Sequence, residues 1–346
     1  MMDKAKDAVG TVIMPNDAWL ASHASEDIID PTLPIVDPHH HLWNRGGHRY
    51  LLEELLADTG SGHNVVATVF VDCVAYYRAQ GPAEMKPIGE TEFANGVAAM
   101  AASGAYGPTR ACAAIVGHAD LLRGAAAREV LQAQLQAGNG RFRGIRHAGG
   151  WDASTQVRNS HTHPPADLYG LLTFREGFAQ LAPLGLSFEA WQYHPQLPMV
   201  TALARAFEDT SIILNHVGGP LGAGPYAGKG DETFANWKRG MHELARSPNV
   251  SVKLGGLGMP IGMFDFHQRA VPVTSLKMAD ALRPWIDTCI DTFGASRCMF
   301  ESNFPVDKAS SSYAVLWNAF KRLAAGASAA ERTDLFSATA QRVYRL

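Results

Sequence analysis

An α/β fold, read more narrowly as a closed (β/α)8 barrel, is what this 346-residue chain predicts. Three observations carry that prediction. Short, nearly continuous apolar runs recur at residues 33–36, 65–71, 111–116, 142–147, 186–191, 212–216, 250–254 and 298–302. Such runs read as strands of a parallel sheet whose two faces are both covered. Between many of them lie amphipathic patterns of helical period, at 121–136, 174–182, 198–207, 234–245, 279–292 and 313–323, which makes βα units. Finally, the first run leads into Asp37-Pro-His-His-His41 and not into the Gly-rich phosphate turn of an open doubly wound sheet. Eight units then suit a closed barrel better than an open sheet.

The remaining segments fit around those eight units. Residues 1–32 are polar and mixed and read as an arm lying against a barrel that spans 33–346. Ser328-Ala-Ala-Glu331 resembles a capping box that opens a final helix. The Gly/Pro-rich stretch 218–230 is a βα loop after the sixth strand, on the face where barrel chemistry sits, and is a candidate to shape a pocket.

Composition excludes several classes of function. With 47% hydrophobic residues the chain can bury its own core, and a formal net charge of -3 gives no basic field for a nucleic-acid backbone. No stretch approaches the ~20 apolar residues of a membrane span. Asp3, Asp7, Asp17, Glu26, Asp27 and Asp30 interrupt the first thirty residues, so no secretory leader is expected and the expected location is cytoplasmic. Cys73, Cys112, Cys289 and Cys298 are far apart and read as free thiols in a reducing compartment. Composition leaves a homo-oligomer open.

The residues able to carry chemistry cluster at the strand ends. In a strand, residues two apart share a face, so His39 and His41 converge while His40 points away. Two imidazoles at a barrel strand's C-terminal end are ready ligands for a divalent metal. His118, His147, His194 and His216 sit near later strand ends, each a candidate ligand, base or core residue. Arg146 is suited to hold a substrate carboxylate bidentately, and equally, with Arg143, to form ion pairs at the barrel floor. Lys253 reads as an ion-pair partner more readily than as an anion binder. After the eighth strand, Glu301 and Asp307 are candidate bases, whereas Asn303 can orient a water without taking its proton. Tyr76, Tyr77, Trp151, Trp191, Tyr193 and Phe304 offer an aromatic mouth, with Arg78 as a second anion contact. Trp191 and Phe304 serve equally to seal the barrel top.

These residues resemble the amidohydrolase superfamily, in the branch containing 2-pyrone-4,6-dicarboxylate lactonase and the L-fucono- and L-rhamnono-lactonase-like hydrolases. The likeness runs from about Leu33 to the C-terminus. It rests on Asp37-Pro-His-His-His-Leu-Trp, Phe142-Arg-Gly-Ile-Arg, Ile213-Leu-Asn-His-Val-Gly-Gly-Pro, Val252-Lys-Leu-Gly-Gly and Met299-Phe-Glu-Ser-Asn-Phe-Pro-Val, with Ala340-Gln-Arg-Val-Tyr-Arg-Leu as a closing helix. The resemblance implies a distorted TIM (β/α)8 barrel that hydrolyses small lactones or carboxylic esters. His39 and His41 match the first-strand H-x-H, His216 the sixth-strand histidine, and His194, more loosely spaced, the fifth-strand histidine. Asn303 stands where the family usually has an aspartate that serves as base and often as ligand.

The expected chemistry is water attack on a carbonyl at the barrel mouth. A zinc or manganese ion, if present, is expected on His39, His41 and His194; without one, His39 and His41 act as donors to the carbonyl oxygen. His216 or Asp307 takes the water proton, with Arg146 on a substrate carboxylate and Arg78, Trp191 and Tyr193 as further substrate contacts. The alternatives are a metal-dependent decarboxylase of a carboxylated ring or semialdehyde, against which the missing aspartate counts, and a non-catalytic barrel that binds a small acid.

Overall fold

Eight parallel strands hydrogen-bond in strict chain order: β1 (Ile35–His40), β2 (Val65–Val71), β3 (Arg110–Gly117), β4 (Phe142–Arg146), β5 (Ser187–Ala190), β6 (Ile212–Leu214), β7 (Val250–Leu254) and β8 (Cys298–Phe300). The computed structural model describes residues 12–22 and 25–346. Parallel neighbours require crossovers, and seven helices supply them, α1 (Leu52–Thr59), α2 (Ile88–Ala102), α3 (Ala127–Ala137), α4 (Leu172–Phe178), α5 (Leu197–Ala206), α6 (Gly230–Leu244) and α7 (Ser275–Phe293), with α8 (Tyr313–Leu323) following the last strand. The result is a TIM barrel.

The seam between first and last strands closes just beyond β8. There the His41 N–H donates to the Phe304 carbonyl at 2.7 Å and the Asn303 N–H to the His39 carbonyl at 2.9 Å. Asp37 ties the same seam, accepting from the Ser302 N–H at 3.0 Å and the Tyr313 hydroxyl at 3.0 Å. Its burial pushes it up to about 6 despite those donors. Inside the barrel Val36, Val69, Val71, Ala114, Val116, Ile213 and Met299 pack with Tyr344, so the last helix, Thr339–Tyr344, stops the floor. Arg143 belongs to that floor, its Nε donating to the Tyr344 carbonyl at 2.7 Å. Arg146, three residues on, faces the opposite end.

Several boundaries differ from the expected ones, for physical reasons. The first strand runs on through Asp37-Pro-His-His to His40, because the two seam bonds hold that polar stretch extended. The expected helix at 121–136 is a 3-10 turn, Leu121–Ala126, followed by α3, broken where Gly124 takes a φ of 59°. The expected helices omit α1 and α2: α2 is rich in alanine and glycine and has no clear apolar stripe, whereas α1 carries Leu52, Leu55 and Leu56 at helical spacing over only eight residues. The Ser328 cap forms, with the Glu331 N–H on its hydroxyl at 3.3 Å and its own N–H on Glu331 Oε2 at 2.8 Å. The helix it opens then widens through a π turn at Asp334–Ala338.

Of the expected arm, residues 1–11 and 23–24 lie outside the described residues; Val12 and Met14 reach the barrel mouth, where they line a cavity, and Glu26 to Ile29 lie along α7 and α8. Glu26 accepts from the Ser275 N–H at 2.8 Å, and Ile29 donates its N–H to Asn318 Oδ1 at 2.9 Å. All four cysteines are free and buried. No helix among the described residues is long and apolar enough to cross a membrane.

Candidate active site

Loops after strands β1, β2, β4, β5, β6, β7 and β8 converge at the C-terminal mouth of the barrel. His39 and His41 lie there with ring centroids 4.9 Å apart. His40 points the other way, against Phe70 and the Thr68 hydroxyl at 2.9 Å, and burial pulls it down to about 3. It is a neutral residue of the wall.

Glu301 organises the centre. Its Oε2 lies 2.7 Å from His39 Nδ1, and its Oε1 lies 2.7 Å from His216 Nδ1 and also accepts the His216 N–H at 3.1 Å. A carboxylate against Nδ1 fixes the tautomer and leaves Nε2 as a lone pair. Val71 does the same for His41, its carbonyl 2.8 Å from that Nδ1. Burial, with Arg146 next for His41 and His216, holds His41 and His216 well below the usual imidazole range, so both rings are neutral. Burial also pushes Glu301 up to about 8, against the pull of Lys253, so the ionised form that orients His39 and His216 prevails as the pH rises through that value.

Two ion pairs flank this cluster. Lys253 Nζ sits 2.8 Å from Glu189 Oε2, both side chains fully buried, and Glu189 also accepts from Asn215 and the Tyr344 hydroxyl. Arg146 Nε donates to Asp72 Oδ1 at 2.7 Å, and its NH1 reaches 3.4 Å from His39 Nε2. Burial works against the Arg146 charge, but Asp72 outweighs it and the guanidinium is held above its ordinary value.

A cavity of about 580 Å³ opens over the cluster, lined by His41, Arg146, Trp191, Tyr193, His216 and Asn303 among others. Trp191 meets His216 edge-on at 4.8 Å. The 218–230 loop contributes nothing to this lining; 158–161 and 259–261 form the walls instead.

His39, His41, His216, Asn303, Arg146, Trp191 and Tyr193 therefore gather at one place, while three other candidates do not. His194 stands apart, its Nδ1 accepting the Leu221 N–H at 3.3 Å and its ring against Tyr226. Asp307 is turned behind Asn303: its Oδ1 accepts from Asn303 Nδ2 at 2.9 Å and its Oδ2 from the Gly258 N–H at 3.0 Å. Arg78 is exposed and paired with Glu92, its Nε at 3.1 Å, outside the cavity. Of the other aromatics, Tyr76 stacks on Phe93 and Phe304 is buried edge-on to Tyr313. Sequence reasoning gave Glu301 no more weight than Asp307 and passed over Glu189, Asp72, Arg45, Arg158 and His161. A carboxylate inside the apolar run of β5, and another at the end of β2, were signals for the first two. Arg45 ends a three-residue hairpin strand, and Arg158 and His161 lie in a loop, with no period to read in either.

His39, His216 and Glu301, all buried, each offer one ligand atom within 4.8 Å of the others. Two imidazoles and a carboxylate suit zinc or manganese. Two cations press on His39 of that set, Arg146 NH1 at 3.4 Å from Nε2 and Lys253 Nζ at 3.3 Å from Nδ1, and each brings a carboxylate of its own that offsets its charge. The set differs from the expected one in taking His216 and Glu301 in place of His194 and His41.

Comparison with known proteins shows the family and the fold. The chain is 33% identical to the uncharacterised protein y4mH of Sinorhizobium fredii over 336 residues, 91% of this chain and 99% of that one. It is 31% identical to an L-fucono-1,5-lactonase of Burkholderia multivorans over 174 residues, 50% of this chain and 56% of the lactonase. A crystal structure of an amidohydrolase from Burkholderia multivorans with bound zinc superposes with a TM-score of 0.68 at 26% identity, covering 90% of this chain and 99% of that one. Residues 36–346, from the first strand of the barrel to the last residue, match the model of the family described as Amidohydrolase, and to that family this chain belongs.

Proposed function

We propose that the protein hydrolyses a small, carboxylate-bearing lactone or ester by attack of water on the carbonyl. The observation that carries this reading is the Glu301–His216 pair at the floor of a cavity that Arg146 and His41 also line. His216, neutral and held by Glu301 through Nδ1, takes the water proton at Nε2, and the buried carboxylate stabilises the imidazolium that forms. Arg146, fixed by Asp72, faces the cavity with charge-assisted donors for the carbonyl oxygen as it becomes an oxyanion. Asn303, its N–H committed to the His39 carbonyl, forms the adjoining wall. Asp307 spends both oxygens on Asn303 and Gly258, which favours His216 over it as the base.

A divalent cation, when bound, supplies Lewis acidity, and His39, His216 and Glu301 are the residues that would hold it. With the His216 lone pair so committed, His41 is the neutral imidazole left at the cavity wall, and it takes the proton.

The test is hydrolysis of a lactone and ester panel by wild type, His216→Gln and His41→Ala, with elemental analysis of the purified, tag-free protein. Loss of at least ~10²-fold in kcat/KM in His216→Gln, with unchanged circular dichroism, is expected for a lost base. About one metal per chain moves the proton to His41, and His41→Ala then shows a loss of the same size. Folded variants that both keep full activity would sink the assignment.

A further inference from the structure

The whole chain carries a formal charge of -3, yet among the described residues its main cavity is lined by Arg45, Arg146 and Arg158, three histidines and no aspartate or glutamate. These arginines are not equivalent. Arg146 is held by Asp72 and reaches His39, at the reacting end. Arg45, on the hairpin strand Trp43–Arg45, lies over the Trp43 ring with its guanidinium carbon 4.5 Å from the centroid, and its NH1 donates to the Cys73 carbonyl at 2.7 Å. Both contacts fix its direction without neutralising it. Arg158 is exposed, and among the described residues its guanidinium has no carboxylate partner.

The loop that carries Arg158 is itself tied down. The Tyr193 hydroxyl donates to the Arg158 carbonyl, Ser160 donates its N–H to the Gly150 carbonyl at 2.8 Å, and Asn159 Oδ1 accepts the Asp152 N–H at 2.7 Å. The nearby carboxylate, Asp152, is spent on the Ser154 N–H and the Tyr226 hydroxyl, at 2.8 and 2.7 Å. A cavity with no acid among its described lining residues, a directed Arg45 and an Arg158 carried on a tethered loop beside aromatic walls is built for an anion.

We infer that the substrate's carboxylate lies away from the reacting carbonyl and is received by Arg158 and Arg45, not by Arg146 or Arg78. The inference rests on the lactone or ester reading and assigns specificity within that site. Arg146 then remains free for the carbonyl oxygen, and Trp43, Trp191 and Tyr193 face the apolar body between the two ends.

The test compares γ-butyrolactone with its ring 5-carboxylate as substrates for wild type, Arg158→Gln and Arg45→Gln, alongside calorimetric binding of glutarate and inorganic phosphate. Expected is a wild-type preference for the carboxylated ring. Arg158→Gln should erode it through a KM raised about 10- to 100-fold, the range for one charge-assisted hydrogen bond, with kcat much less changed. Arg78→Gln should leave the preference intact. Equal wild-type turnover of both rings, an equal fall in kcat on both in Arg158→Gln, or tighter binding of phosphate than of glutarate would each overturn the assignment. If neither ring nor any ester is hydrolysed, the hydrolase reading fails on its own. Glutarate binding that is lost in Arg158→Gln would still establish the carboxylate subsite, and absence of glutarate binding to wild type would remove it.

Discussion

Glu90 shows at a single residue what burial costs when satisfaction is one-sided. Its Oε1 accepts the N–H groups of Cys73 and Ala75 at 3.0 and 2.8 Å, pinning the turn after β2, while Oε2 is buried without a hydrogen-bond partner. Burial, with Asp72 adding repulsion, pushes this carboxyl up to about 8. The folded chain therefore holds a proton that the unfolded chain, with an ordinary carboxyl, has released between about pH 4.5 and 8. More protons bound in the folded state means that stability falls as pH rises through that window. Glu90→Gln keeps the acceptor and removes the charge. It should raise the melting temperature by a few degrees at pH 8, with the gain vanishing near pH 4.5, in paired calorimetric scans.

At the scale of elements, the glycines after β7 make the base and its carboxylate possible. Gly256 has a φ of 67°, and a Cβ there would sit 2.3 Å from His216 Nδ1; one on Gly255 would sit 2.5 Å from Glu301 Cγ. The β7–α7 turn is thus shaped by side chains that arrive from β6 and β8. Strain gathers at the same place, with His216, Val217 and Asn303 all at positive φ without being glycine. Gly256→Ala should push His216 off Glu301, lowering kcat/KM by ~10²-fold and stability by about 1–3 kcal/mol. Gly96→Ala, in α2 with open space around it, is the control. It should stabilise by about 0.5–1 kcal/mol with activity unchanged, as read by urea titration and initial rates.

For the whole molecule, the contrast is between a net negative chain and a cationic cavity. Steering an anion against the net charge depends on a local field, which salt screens over about 10 Å at 0.1 M. Raising the salt from about 50 to 500 mM should increase KM for the carboxylated lactone severalfold and leave the uncharged ring nearly unaffected. Parallel responses of the two rings in a salt series would place the field elsewhere. The seam has a global role too. Asp37, Ser302 and Tyr313 join the first strand to the last, so the histidines of β1 and Glu301 beyond β8 share one rigid edge.

The sequence by itself determined the barrel, because eight buried strands separated by helices leave a distinct apolar period in the chain. It also determined that His39, His41 and His216 stand at strand ends, since strand alternation and the turn-forming glycines after His216 are local features. It did not determine which charges face one another. Glu301 meets His216 across 85 residues, and Lys253 on β7 meets Glu189 on β5 across the intervening β6. Only closure of the barrel sets those pairings. Asp307 seemed close to the chemistry by chain distance, yet a left-handed turn at Asn303 directs its carboxylate to Gly258. Arg158 comes from a loop and Arg45 from a three-residue hairpin strand, neither with a readable pattern, and hydrogen bonds to Tyr193 and Cys73 hold the loop and the Arg45 side chain at the cavity. Local periodicity therefore fixes the scaffold, while the site depends on long-range contacts that exist only once the eight strands have closed.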